Sequence, residues 1–144
     1  MDPGRARTPA VGSVMTRALI VLDHRETLRR ALELLHRHDI RHLPVVEQGL
    51  LVGMLSDRDL LSYQPPPGIG ALDAAAYDAL LDAPATAVMR PNVVTVGPDE
   101  RLSRVIDLLV DLRIGAVPVI DGDRLVGIVT TIDVLEFFRQ SSEE

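Results

Sequence analysis

Leu51-Val52-Gly53-Met54-Leu55-Ser56-Asp57-Arg58-Asp59 returns later in the chain as Leu125-Val126-Gly127-Ile128-Val129-Thr130-Thr131-Ile132-Asp133. Each copy runs from an apolar, strand-like stretch through a Ser or Thr into residues with helical spacing. Working outward, Val14-Met15-Thr16 recurs as Val88-Met89-Arg90, and Leu43-Pro44-Val45-Val46 as Val117-Pro118-Val119-Ile120. Every pair is offset by 74 positions, with no insertion between residues 14–60 and 88–134. One register held over so long a stretch marks a duplicated unit.

Both copies predict the same order, β-α-β-β-α. An extended apolar stretch comes first, Ala18–Leu22 and Val93–Val96. A helix follows, with one apolar stripe from Leu28, Ala31, Leu32, Leu34 and Leu35, and from Leu102, Val105, Ile106, Leu108 and Leu109. Pro98-Asp99-Glu100 reads as a helix start with acids at the positive end of the dipole. Two β-rich runs then flank the turn-formers Glu47-Gln48-Gly49 and Asp121-Gly122-Asp123, which predicts a hairpin in each repeat. A second helix begins at Ser56 and at Thr130.

The boundaries expected are a mobile leader over 1–13, repeat 1 over 14–63, a linker over 64–87, repeat 2 over 88–139 and a tail over 140–144. Pro65-Pro66-Pro67-Gly68 makes the linker stiff at its start. Asp73 to Leu81 reads as a short helix capped by Asp73 and ended by Pro84. About fifty residues build too little core to stand alone. The expected fold is therefore α+β, two repeats packed sheet to sheet with pseudo-twofold symmetry.

The 144 residues carry a formal charge of −6, and all 15 basic residues are Arg. With no Lys there is no Schiff base and no phosphate-loop lysine. No Cys means no disulfide, thiolate metal site or cysteine nucleophile. Aromatic residues are 3% of the chain, too few for a base-stacking platform, and the acidic balance argues against a nucleic-acid backbone partner. No stretch approaches a membrane span and no apolar signal core opens the chain, so a cytoplasmic protein is expected.

The repeated motif has chemistry of its own. Ser56 and Thr130 sit where a strand passes into a helix, where free backbone N–H groups meet the positive dipole end. Asp59 and Asp133 follow three residues on, and a carboxylate can accept from both vicinal hydroxyls of a ribose. Gly53 and Gly127 permit a close backbone approach. Arg58 adds a donor for phosphate in one copy, where the other has Ile132. The same Ser/Thr-x-x-Asp spacing also makes a capping box, and both uses are compatible.

These residues resemble the CBS-domain family, whose signature is an apolar-Pro-Val turn followed by Gly-apolar-apolar-Ser/Thr-x-x-Asp. The likeness covers residues 14–139 and is that of a stand-alone tandem pair, a Bateman module. The resemblance implies a regulatory module that binds adenosine ligands, AMP, ADP, ATP or S-adenosylmethionine, and senses energy or metabolic state by repacking. It implies composite clefts. One would join Thr130, Ile132 and Asp133 to Thr16, Ile20, Ile40, Arg41 and His42. The other would join Ser56, Arg58 and Asp59 to Arg90, Val94, Ile114, Gly115 and Ala116. It further implies a homodimer through the helices that close each repeat.

Three rival readings remain. One is a ligand-free dimerisation or protein-interaction module. Another is a metal-binding stress protein, for which His36, His38 and His42 cluster near a helix end, with His24 further back. Their spacing fits no compact ligand pattern, so no metal is expected. A small enzyme is the last, but no nucleophile–base pair or paired-acid motif stands out, so neither catalysis nor a cofactor is expected. Arg25, Arg29, Arg30, Arg37 and Arg41 are interleaved with acids and read as a solvated face. Tyr63 and Phe137-Phe138 mark either an oligomer surface or a cover over the core.

Overall fold

The computed structural model describes residues 8–61 and 71–142. Tyr63 and Pro65-Pro66-Pro67-Gly68 lie outside the described residues. Repeat 1 supplies β1 (Leu22–Asp23), α1 (Leu28–Arg37), β2 (His42–Glu47), β3 (Leu50–Ser56) and α2 (Asp57–Leu61). A connecting helix, α3 (Ala71–Leu80), follows. Repeat 2 supplies α4 (Leu102–Leu112), β4 (Ala116–Asp121), β5 (Arg124–Thr130) and α5 (Thr131–Ser142).

The local chemistry explains most of these bounds. Thr27 caps α1, its Oγ1 accepting from the Arg30 backbone N–H at 3.2 Å. The expected stripe faces inward: Leu28, Ala31, Leu34 and Leu35 are buried, as are Leu102, Val105 and Leu108 on α4. Both helices stop at a non-glycine residue in the left-handed region, Asp39 (φ 51°) and Arg113 (φ 54°), at equivalent places in the repeats. Both hairpins form, β2 with β3 and β4 with β5, each with a register shift at the same place, Val45/Val46 and Val119/Ile120. In the first hairpin Gln48 and Gly49 both have positive φ, the pattern of a type I′ turn.

Three expectations need correction. Pro98-Asp99-Glu100 does not open α4, which begins at Leu102. The Glu100 carboxylate instead closes a turn ahead of it, accepting from the Gly97 N–H at 2.6 Å. Asp73 is not a cap, because α3 already begins at Ala71; Ala71 and Leu72 are strong helix formers that carry it two residues further back. The extended stretches are also not single strands. Leu22 pairs in parallel with Val45, while Thr16 forms an antiparallel bridge with Ile128. The residues between leave one ladder to reach the other. Val96 makes a lone parallel bridge to Val119, and Arg90 an antiparallel one to Met54.

The chain divides into two compact units that do not follow repeat order. The discontinuous unit joins Met1–Leu19 to Val93–Glu144, and the continuous unit is Ile20–Asn92. Each has its own core. Leu22, Leu28, Leu43, Val45 and Leu55 build that of the continuous unit. Val96, Leu102, Val117, Val119 and Val129 build that of the discontinuous unit, joined by Val11 and Met15.

The mobile leader expected over 1–13 therefore fails from Thr8 onward. Val11 is fully buried, and its N–H donates to the Glu100 carbonyl at 2.8 Å. The first N–H groups of α4 are satisfied by this segment: Leu102 N–H donates to the Pro9 carbonyl at 2.9 Å and Ser103 N–H to Thr8 Oγ1 at 3.2 Å. Residues 81–85 do the same for α1. Leu28 N–H donates to the Ala83 carbonyl and Arg29 N–H to that of Leu81, while Ala85 is buried. Arg29 adds ion pairs to Asp78 (2.9 Å) and Asp82 (3.3 Å).

Candidate functional site

At the start of α2, Ser56 Oγ accepts from the Asp59 N–H at 3.1 Å and Asp59 Oδ2 accepts from the Ser56 N–H at 3.3 Å. At the start of α5, Thr130 Oγ1 accepts from the Asp133 N–H at 3.2 Å and Asp133 Oδ2 accepts from the Thr130 N–H at 2.9 Å. These are reciprocal capping boxes. They fix the rotamer of each aspartate and leave Oδ1 facing away from its own helix start.

What meets Oδ1 differs. Thr16 Oγ1 donates to Asp133 Oδ1 at 3.0 Å. Arg90 Nε donates to Asp59 Oδ1, also at 3.0 Å, as an ion pair in which the Asp59 side chain is 12% exposed and the Arg90 side chain 65% exposed. Both groups arrive on segments held by backbone bonds. Arg90 and Met54 exchange N–H···O bonds at 2.8 and 3.0 Å, and Thr16 and Ile128 at 2.8 and 3.1 Å.

The repeated glycines permit that approach. A Cβ on Gly53 would lie 2.5 Å from Met89 Sδ and 3.1 Å from the Arg90 carbonyl. A Cβ on Gly127 would meet Met15 Sδ, and would sit 3.1 Å from the Thr16 carbonyl. The close approach expected from the sequence is thus made by the chain's own Val-Met-x segments.

Within the continuous unit, His42 lies opposite Ser56 in the β2–β3 ladder, and Arg41 Nη1 pairs with Asp57 Oδ2 at 3.2 Å. Burial holds the His42 imidazole below its usual pKa, outweighing the opposite pull of Asp57 and Asp59. Ile20 and Ile40 pack at the margin of that core, and Arg58 is exposed. Within the discontinuous unit, Ala116 lies opposite Thr130, and the Gly115 carbonyl accepts from the Thr131 N–H at 3.1 Å. Ile114 packs at the core margin, while Val94 and Ile132 are exposed.

The structure therefore brings Thr16, Thr130 and Asp133 together, and likewise Ser56, Asp59 and Arg90. Among the described residues no cluster of three or more His, Asp or Glu is placed to hold a metal, and no helix is long and apolar enough to cross a membrane. Sequence reading passed over Thr8–Val11 and the packing of Met15 and Met89. The offset pairs Val14-Met15 and Val88-Met89 were the available signal for the latter.

The model of the CBS domain matches residues 11–65 and 85–140, one copy on each capping box. The chain belongs to the CBS-domain family. The CBS domain-containing protein YhcV of Bacillus subtilis is 31% identical over 125 residues, covering 87% of this chain and 82% of that protein. The CBS domain pair of protein MJ0100, solved with 5′-methylthioadenosine and S-adenosyl-L-methionine, superposes with a TM-score of 0.75 at 27% identity, over 93% of this chain and 98% of that one. CBSX2, solved with AMP, gives a TM-score of 0.77 at 27% identity, over 92% and 98%. This chain is thus similar to tandem CBS pairs that carry adenosine ligands.

Proposed function

We propose that this CBS pair is a regulatory module that takes an adenosine ligand at Asp59 and at Asp133 and passes its occupancy to a partner protein. The observation that carries this reading is the division of labour within each carboxylate. Oδ2 is held by the helix start, and Oδ1 is held by a side chain on a separate segment. A fixed carboxylate with an exchangeable outer partner suits the two adjacent hydroxyls of a ribose, both of which donate. Two relatives support the class: AMP, S-adenosylmethionine and methylthioadenosine share the adenosine portion.

A ligand at Oδ1 displaces Thr16 or Arg90. It thereby loosens the segments carrying Met15 and Met89, which are packed on Gly127 and Gly53. That is a conformational readout with differential contacts in the two states. The test is thermal unfolding with AMP, ADP, ATP and S-adenosylmethionine in turn. A ligand that binds the folded form raises the midpoint by mass action. No shift with any of the four at millimolar concentration rejects the reading.

A second reading, a dimerisation module, has its own observation. On α5, Ile132, Leu135 and Phe138 are exposed at three-residue spacing. Phe137 beside them packs on the core and stacks edge-on against Phe138, with centroids 5.2 Å apart. A homodimer through this face is compatible with ligand binding and is tested separately below.

A further inference from the structure

We infer that residues 81–90 form a strap that couples the Asp59 site to α3, so that a ligand at Asp59 loosens α3 from the start of α1. The inference rests on the adenosine reading above and names how one of its two sites is read out.

The strap begins where α3 ends. Leu81 N–H donates to the Tyr77 carbonyl, Asp82 N–H to that of Ala79 and Ala83 N–H to that of Leu80, so the helix passes into it without a free joint. Its near half lies along the start of α1. The Leu81 and Ala83 carbonyls accept from the Arg29 and Leu28 N–H groups at 2.8 and 3.0 Å, and the Ala85 N–H donates to the Glu26 carbonyl at 2.8 Å. Two of these bonds satisfy N–H groups that α1 cannot satisfy itself. The far end is Arg90, which exchanges backbone bonds with Met54 and holds Asp59 Oδ1. One short segment therefore has a helix at one end and the ligand-facing oxygen at the other.

What holds α3 is thin. Ala74, Ala75, Ala76, Asp78, Ala79 and Leu80 are exposed, and a helix of this length has little stability of its own. Its tether to α1 is the Arg29 guanidinium, which donates to the Asp78 carbonyl and Oδ1 at 2.8 and 2.9 Å and to Asp82 Oδ1 at 3.3 Å. Both carboxylates are largely exposed, so water and salt weaken the pairs. The strap itself buries only Ala85 completely, a single methyl. Strap and α3 thus form a segment of low local stability with a docked and a lifted state. Arg29 and Arg90 pin its two ends. A ribose that takes Asp59 Oδ1 removes the second pin and moves the balance toward the lifted state. In repeat 2, Ser103 and Thr8 stand where Arg29 and Asp82 do, and their contact is neutral.

Amide hydrogen exchange reads the strap directly, through the N–H groups of Leu28, Arg29 and Ala85 that bond across it. Without ligand, Arg90→Ala should speed exchange at these three amides about threefold to tenfold, while Leu43 and Val45 in the core keep their rates. AMP at saturation should do the same in the wild-type protein. By reciprocity, freeing α3 must favour the ligand. Arg29→Ala should therefore tighten AMP about threefold to tenfold, read by NMR at the carbon-13 methyl of Met89, which precedes Arg90. Asp78→Asn combined with Asp82→Asn leaves α1 untouched and serves if Arg29→Ala fails to fold. Unchanged exchange in Arg90→Ala overturns the inference. So does AMP that binds and slows the three amides or leaves them as they were, or an AMP affinity that neither clasp variant alters. If AMP binds without these effects, the adenosine reading stands without the strap. If AMP binds nowhere, the adenosine reading itself falls and takes the inference with it.

Discussion

Thr16 and Arg90 occupy the same place in the two repeats and bond to the same oxygen of their aspartates at the same 3.0 Å, yet one contact is neutral and the other ionic. Duplication has kept the geometry and changed the charge. The capping box explains why the geometry survived, since it serves the helix whether or not a ligand is present. The outer contact is free of that duty, and it is the one that differs.

The aspartates should therefore show two separable losses. Asp59→Ala and Asp133→Ala each remove a cap, at about 1–2 kcal/mol of stability by chemical unfolding. Each should also weaken its adenosine ligand about tenfold to a hundredfold by calorimetry. Reduced stability with unchanged affinity would leave the aspartates as caps alone.

Gly53→Ala and Gly127→Ala should each destabilise by about 1–3 kcal/mol, because the new methyl overlaps Met89 or Met15 and presses on a backbone carbonyl. Met89→Ala removes the side-chain part of the overlap at Gly53. The double variant Gly53→Ala with Met89→Ala should therefore cost less than the sum of the singles, as measured by urea unfolding. Strict additivity would show that the methyl does not meet Met89.

What could be read in advance divides along sequence distance. The stripe Leu28, Ala31, Leu34 and Leu35 shows in local periodicity, and the first hairpin shows in Gln48-Gly49. Ser56 and Asp59 announce themselves three residues apart. The contacts of Thr16 and Arg90 with the aspartates came through family likeness, since no local pattern links residue 16 to residue 133. The burial of Val11 was missed for the same reason: its backbone partner is Glu100, and its polar neighbours resemble a loose end. The first strands were overestimated because apolar composition does not by itself fix ladder pairing: of Ala18–Leu22 only Leu22 pairs, and of Val93–Val96 only Val96.

His42 predicts a pH effect. Its imidazole titrates below the ordinary 6.5 because burial disfavours the charged form. As pH falls through that value, the unfolded chain takes up a proton that the folded His42 still refuses, so stability falls with it. Above that pH both states are neutral there and His42 contributes no pH dependence. His42→Gln should flatten this part of the profile, leaving Arg41, Asp57 and Asp59 in place. Urea unfolding of both proteins between pH 7.5 and 5.5 reads it out, and parallel profiles would show that His42 is not the source.

The α5 face gives a prediction about assembly. If Ile132, Leu135 and Phe138 meet a second copy, light scattering at micromolar concentration should report a dimer. Leu135→Asp should dissociate it without lowering the monomer's helix content. A monomeric wild-type protein would remove the dimerisation reading.

The division of the chain has a consequence for how the protein is made. Thr16 is separated from Asp133 by 117 residues, and the discontinuous unit cannot close until Val93–Thr130 has been synthesised. At about 5–20 residues per second, that is on the order of ten seconds in which Val11 and Met15 have no core to enter. Ile20–Asn92 suffers no such delay and can form its contacts while the rest is still emerging. The segment that holds Val11 and Met15, made well before the rest of its unit, is thus among the last to find its place. A nascent chain halted about 40 residues beyond Asn92, so that the continuous unit has cleared the ribosomal exit tunnel, should protect that unit from protease while leaving residues 8–19 open to cleavage.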